Sequence, residues 1–157
     1  MKKLLSFTLA LVMMLSVSVT AFAATINQDS NPKTVDTEIT TSIAPTYTVT
    51  IPADVNVSFN ATSTSFGKIE VTAAQINPDK CIKVALTTDG TLNNTVDATK
   101  VIPYTVNAGA TAFTSATYLV AGEKTDLTIN ITQNDWNSAY AGDYTDTVTF
   151  NVSYIDR

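Results

Sequence analysis

The sequence predicts an all-β protein with a single antiparallel β-sandwich of about eight or nine strands. Short segments of alternating apolar and polar residues recur roughly every ten residues, with turn-forming residues between them. After residue 23, no segment has the 3.6-residue period of an amphipathic helix. The clearest segment is Tyr144–Ile155, whose bulky residues fall on even positions and whose threonines fall on odd ones. We therefore expect a long final strand with one buried face.

The first 23 residues are predicted to be a secretory signal peptide. Lys2 and Lys3 precede an apolar run over Leu4–Val19, and Ala21-Phe22-Ala23 has the small-x-small form of a cleavage site. The run is shorter than the roughly 20 residues that a spanning helix needs, so we expect no membrane span. This pattern predicts a protein that is secreted or held at the cell surface.

The remaining chain divides into a flexible leader, residues 24–33, and a sandwich domain, residues 34–157. Thr34–Ile43 alternates like a strand, with Val35, Ile39 and Ile43 in its apolar row, and Ala44-Pro45 ends it. Two interpretations stay open for this segment. It forms an edge strand of its own domain, or it is a donor strand that adds to the sheet of a neighbouring subunit.

Alternation also predicts the strands between the leader and the final strand. They are expected at Tyr47–Ile51, Val55–Phe59, Phe66–Thr72, Cys81–Thr87, Val101–Val106, Ala112–Val120 and Leu127–Ile131. Pro52-Ala53 should kink the chain, so that the bent strand serves both sheets, and Pro103 should lie at an edge or bulge. Asn134–Tyr140 is expected to be a loop. This number and spacing of strands favour an Ig-like sandwich.

The composition excludes several functions. The chain has no histidine, which removes Ser-His-Asp and Cys-His catalysis, and its net charge of −5 makes nucleic acid a poor partner. Cys81 is the only cysteine, so it is either buried or available for a bridge to another chain, and burial is favoured.

Acidic residues near the end of the chain are the candidates for catalysis and for calcium binding. Glycoside hydrolysis needs two carboxylates, and the candidates are Asp126, Asp135, Asp143 and Asp146. All four lie in predicted turns or on the outer faces of predicted strands. Asn134, Asp135 and Asp143 lack the compact spacing of a calcium loop. We therefore expect no catalytic residue, no cofactor and no metal.

Trp136 and Tyr140 flank the last turn and are the candidate site aromatics. A tryptophan at this position plugs the open end of a sandwich, and this interpretation is favoured over the stacking of an exposed ring on a sugar. Stacking would instead make the protein a binding module for carbohydrate or a host surface.

The ending Ala141-Gly142-Asp143-Tyr144, followed by the alternating strand, resembles the last strand of spore coat protein U-type and related fimbrial subunits. This resemblance implies a pilin-like subunit that assembles with itself, or with other surface subunits, by passing a strand between neighbours. We expect a non-enzymatic structural protein of the cell surface, a pilin-like, coat or matrix subunit. The alternative is a secreted module that binds glycans or a host surface.

Overall fold

The computed structural model describes residues 23–157, so the predicted signal peptide lies outside the described residues except for Ala23. The fold class is confirmed: this part of the chain consists of antiparallel strands and one short helix. The strands are β1 (Thr46–Thr50), β2 (Ser63–Gln75), β3 (Lys80–Thr87), β4 (Thr91–Asn94), β5 (Val101–Pro103), β6 (Thr105–Ala108), β7 (Thr111–Ala112), β8 (Ser115–Tyr118), β9 (Lys124–Asn130), β10 (Tyr144–Thr145) and β11 (Thr149–Asp156). The helix α1 spans Gln133–Ser138. Within residues 23–157, no helix is long and apolar enough to cross a membrane.

The strands form two layers. The front layer is a five-stranded sheet in the order β1-β2-β9-β6-β7. The back layer consists of two three-stranded sheets, β11-β3-β8 and β10-β4-β5. These two sheets continue one another, because β4 follows β3 and β11 follows β10 along the chain. β1 is therefore an edge of the front layer, and β10 and β11 form an edge of the back layer.

The core lies between the layers. β2 contributes Ile69 and Val71, and β3 contributes Ile82 and Val84, all fully buried. Phe66 of β2 is also buried. The rest of the buried apolar cluster comes from β5, β6, β8, β9 and the segments beside them, namely Ile102, Tyr104, Val106, Phe113, Tyr118, Leu127, Ile129, Ile131 and Trp136. The alternation that predicted the strands also predicted their buried faces, because successive residues of a strand point to opposite sides.

The strand count is eleven rather than eight or nine, mainly because three expected strands are interrupted. The expected strand over Val101–Val106 leaves the back layer after Pro103 and enters the front layer at Thr105, with buried Tyr104 between. The predicted edge position of Pro103 is observed, since β5 is an edge strand. The crossing between layers was expected at Pro52 instead, but the chain leaves the ladder there without joining another sheet.

The leader and the first part of the expected domain form no strand. Residues 23–45 contain only a turn and a bend, so the strand predicted over Thr34–Ile43 is absent. Every residue from 34 to 43 is exposed. An isolated strand has no partner for its backbone groups, so alternation alone does not hold such a segment in a sheet.

Candidate functional site

The two layers meet incompletely on one side of the sandwich, between β1 and the β10–β11 edge. Neither β1 nor β11 has a strand on its outer edge. They approach each other at one end, where the rings of Tyr47 and Tyr154 have centroids 5.8 Å apart. We call the gap that extends from this contact, between β1 with residues 51–59 and β10–β11, the open side.

The apolar row of the final strand faces inward but lacks a complete cover. In the β3–β11 ladder, Val152 lies opposite Val84, and directly opposed residues share a face of the sheet. Val84 is 0% exposed, whereas Val152 is 41% exposed. Phe150 packs on Phe66 with ring centroids 5.9 Å apart but remains half-buried. The row was expected to lie in the closed core. This is wrong for Val152, which is not covered, although its side chain points to the predicted inward face.

The front rim of the open side is an extended segment without a ladder. Residues 51–58 carry no strand pairing, although Val55, Val57 and Phe59 alternate as the sequence predicted for a strand. Val57 packs against the core, while Val55 and Phe59 are exposed. An alternating segment that lies at a rim without a partner has backbone groups free to pair with another strand.

Beside this rim the open side widens into a cavity of about 1190 Å³. Its floor includes Leu92 of β4 and Ile102 of β5, and its opposite wall is the stretch from Trp136 to Asp146. The wall carries polar groups, among them Asn137, Asp143 and Asp146, beside aromatic rings. The cavity is thus a mixed groove with an apolar floor.

Trp136 is buried against residues 59–61. Its side chain is 9% exposed, its indole Nε1–H donates to the Ala61 carbonyl at 3.0 Å, and its ring meets Phe59 edge-to-face at 5.6 Å. The helix that carries it is capped by Thr132, whose hydroxyl accepts from the Asp135 amide. These are the contacts of an end plug, because a buried ring offers no open face to a ligand.

Tyr140 has a different environment from Trp136, although the sequence grouped the two. Its side chain is 63% exposed, and the Lys100 ammonium lies 4.9 Å from its ring centroid. The Tyr144 hydroxyl donates to the Tyr140 carbonyl at 2.9 Å, which holds the turn against β10. Of the two candidate aromatics, Tyr140 is the one accessible to a ligand.

A hydrogen-bond network fixes the back rim where β10 and β11 are separated. The Tyr104 hydroxyl donates to Asp146 Oδ2 at 2.5 Å and lies 2.8 Å from Thr88 Oγ1. Burial, reinforced by the Asp146 hydrogen bond, raises the pKa of Tyr104 to about 12. Asp146 points toward this network, so residues 146–148 leave the ladder and interrupt the strand that the sequence predicted as continuous.

The three candidate donor residues all present their side chains to solvent. Val35 is exposed, Ile43 is exposed, and Ile39 is 93% exposed. They lie four residues apart, so in an extended segment all three fall on the same face.

The other residues that the sequence singled out have structural contacts. Asp135 accepts a hydrogen bond from the hydroxyl of Thr132, the N-cap of α1, and Asp146 accepts from Tyr104. Among residues 23–157, no three acidic, cysteine or histidine side chains cluster as a metal site would require. Cys81 is 4% exposed, as favoured from the sequence, and its Sγ lies 3.9 Å from the Asp156 carbonyl oxygen.

Sequence reasoning missed that residues 54–60 and the stretch from Trp136 to Asp146 line one cavity. The available signal was the alternation of Val55, Val57 and Phe59, which predicted a strand. It did not reveal that this strand lacks a partner, because periodicity reports which face is apolar and not which strand lies alongside.

Comparisons with known proteins add no family to this description. No protein-family model matches the sequence, and a search of curated proteins finds no match. The likeness of the final strand to spore coat protein U-type and fimbrial subunits therefore stays a prediction.

Proposed function

We propose that this protein is a non-enzymatic structural subunit of the bacterial cell surface, pilin-like or part of a coat or matrix, which assembles with copies of itself by strand addition. The segment Thr34–Ile43 of one copy fills the open side of another. Secretion by the predicted signal peptide brings the chain to the place where it assembles.

The observation that carries this proposal is the contrast between Val152 and Val84. The two residues lie opposite each other on the inward face of one ladder, yet only Val84 is buried. A complete sandwich would cover both, since buried apolar area contributes about 25 cal/mol per Å². One strand laid along the open side would cover Val152 and supply ladder partners to the rim.

The donor segment has the pattern that this position requires. A strand on the open side has one face on the groove and one face in water, so it needs one apolar row and one polar row. Val35, Ile39 and Ile43 provide the first, together with two threonines. Asp36 and Glu38 belong to the second row and would stay in solvent.

A charge placed in the apolar row tests the proposal. Ile39→Asp would bury an unpaired carboxylate in the groove, so we expect it to abolish assembly of the mature chain, measured by sedimentation and electron microscopy. Thr40→Asp adds the same charge to the polar row and should assemble like the unaltered chain. Both variants should have the same thermal stability as monomers, because Ile39 is 93% exposed there. Assembly of Ile39→Asp at the normal rate would contradict the proposal.

The non-enzymatic part of the proposal rests on chemistry. The chain has no histidine to act as general base near neutral pH. Asp135 and Asp146, two of its four candidate acids, form hydrogen bonds that cap a helix and fix a rim. A screen of the assembled protein for glycosidase activity should show none, and turnover that is lost in Asp146→Asn would overturn this part.

A second candidate function, glycan binding, has one observation in its favour. Tyr140 is 63% exposed and lines the cavity together with Asn137 and Asp143, and aromatic rings beside amide and carboxylate groups suit a sugar. Glycan-array binding that is lost in Tyr140→Ala, while assembly is unaffected, would favour this function over a purely structural one.

A further inference from the structure

We infer that Ala44-Pro45 prevents the donor segment from placing its full apolar row, Val35 to Ile43, in the open side of its own chain, so that the open side of a second copy receives it. The inference rests on the proposed function, and it explains why the strand comes from another copy. It follows from where β1 begins and from what proline allows.

The reversal would have to occur in very few residues. β1 starts at Thr46, which already pairs with Gln75 of β2, so Thr46 is not available as a loop residue. For a chain to fold back along the free edge of β1, its loop must therefore end at Pro45. Tyr47 faces Tyr154 across the open side, so its neighbour Thr46 points the other way.

The face of the donor segment then sets the loop length. Residues that lie opposite each other point to the same face, and Thr46 points away from the groove. The odd-numbered apolar row therefore faces the groove only if an even-numbered residue of the donor segment lies opposite Thr46. Ser42 is the first such residue, and this register leaves Ile43, Ala44 and Pro45 as a three-residue loop. The two-residue loop Ala44-Pro45 would place Ile43 opposite Thr46, with the whole apolar row facing solvent.

Neither short loop is compatible with proline. A three-residue hairpin loop ends in the left-handed region, and a two-residue loop needs a positive φ at one or both positions. Proline has φ near −65°, and the residue before it avoids the helical region. Among residues 23–157, Asn60 is the only non-glycine with a positive φ, so Ala44 and Pro45 do not adopt one. A five-residue loop restores the face but removes Thr41 and Ile43 from the row.

In a second copy the same two residues have the opposite effect. An extended residue before proline and a proline with fixed φ continue a strand in its own direction. Ala44-Pro45 therefore acts as a short stiff spacer between the donor strand in one subunit and β1 in the next. The same dipeptide prevents self-closure and promotes linkage.

The test makes self-closure possible in the full mature chain. The double variant Ala44→Asp/Pro45→Gly gives the three-residue loop its favoured Asp-Gly sequence, with glycine at the left-handed position. We expect the monomer left at equilibrium with polymer to rise roughly tenfold, as a competing intramolecular strand would cause. The amides of residues 34–42 in that monomer should be protected from hydrogen exchange. Pro45→Ala is the matched control, since alanine also disfavours positive φ, and it should assemble like the unaltered chain.

Each of the other outcomes overturns the inference, the proposed function, or both. If the double variant assembles as readily as the unaltered chain, the inference is wrong and strand addition stands. If the unaltered chain is a monomer whose donor segment is protected, the segment pairs within its own chain and both proposals fail. If the unaltered chain is a monomer with an unprotected donor segment, assembly by strand addition fails, and the inference fails with it.

Discussion

Val84 and Val152 allow the open side to be measured by one substitution made at two opposed positions. They have the same side chain, lie opposite each other in the β3–β11 ladder and point to the same face. Only their cover differs, because Val84 is 0% exposed and Val152 is 41% exposed. Replacement of each by alanine therefore isolates the effect of the missing cover.

The magnitudes follow from burial. Val→Ala removes two methyl groups, worth about 1.6 kcal/mol when fully buried at about 0.8 each. At Val84 the resulting cavity adds to this, so we expect a loss of roughly 2 to 3 kcal/mol in the free energy of unfolding. At Val152 the exposed fraction reduces the transfer contribution to about 1 kcal/mol, and no closed cavity forms. The remaining 0.6 kcal/mol or so should appear on assembly, as an approximately threefold weaker association constant.

The assay is urea denaturation followed by the fluorescence of Trp136, the only tryptophan. It should be carried out in the Ile39→Asp background, so that the chain stays monomeric. Association is then measured for Val152→Ala with Ile39 intact. Equal losses of 2 to 3 kcal/mol at both positions in the monomer would mean that Val152 is already covered, and the open side would not exist.

Three further predictions concern the rest of the fold. Gly142 has φ +143°, and a Cβ there would lie 2.5 Å from Asn94 Nδ2, so Gly142→Ala should lower the free energy of unfolding by at least about 2 kcal/mol. Gly109 has φ +62° and open space around it, so Gly109→Ala should lower it by roughly 1 kcal/mol. Equal losses at the two positions would contradict the clash. The pKa of Tyr104 is raised to about 12 from 10, so the folded state keeps a proton that the unfolded state loses. Stability should therefore be fully present below pH 10 and decline toward pH 12, and Tyr104→Phe should reduce this decline in pH-dependent melting. Cys81 should react with a thiol reagent only at the rate of unfolding, and rapid native labelling or a reducible dimer would refute its burial.

The final strand illustrates what could and could not be predicted from the sequence. Alternation correctly assigned the inward face, since Val152 and Tyr154 lie opposite buried Val84 and Ile82. It did not predict the interruption at residues 146–148, which depends on a hydrogen bond between Asp146 and a residue 42 positions away. Local periodicity contains no information on such a distant contact.

The helix that carries Trp136 was missed for a different reason. Six residues are too few for a helical period to be recognised, and the segment was expected to be a loop. The capping pair was nevertheless present, since Thr132 is followed three residues later by Asp135, and their side chains are hydrogen-bonded. A search for caps rather than periodicity would have found this helix. The plug interpretation of Trp136 required only that the ring be buried, and it did not depend on the local structure.

The edges of the sandwich provide a separate argument that the open side is a receptor. Sheet edges are usually made short, charged or interrupted by proline, which prevents unwanted pairing. The edges away from the open side follow this rule: β7 has two residues, β8 has four, and β5 ends in Pro103. On the open side only β10, with two residues, follows it, because β1 is uncharged throughout and β11 runs for eight residues with its only charge at Asp156. A chain that shortens one pair of edges and leaves the other with β1 uncharged and β11 long has the distribution expected if the second pair takes up a strand.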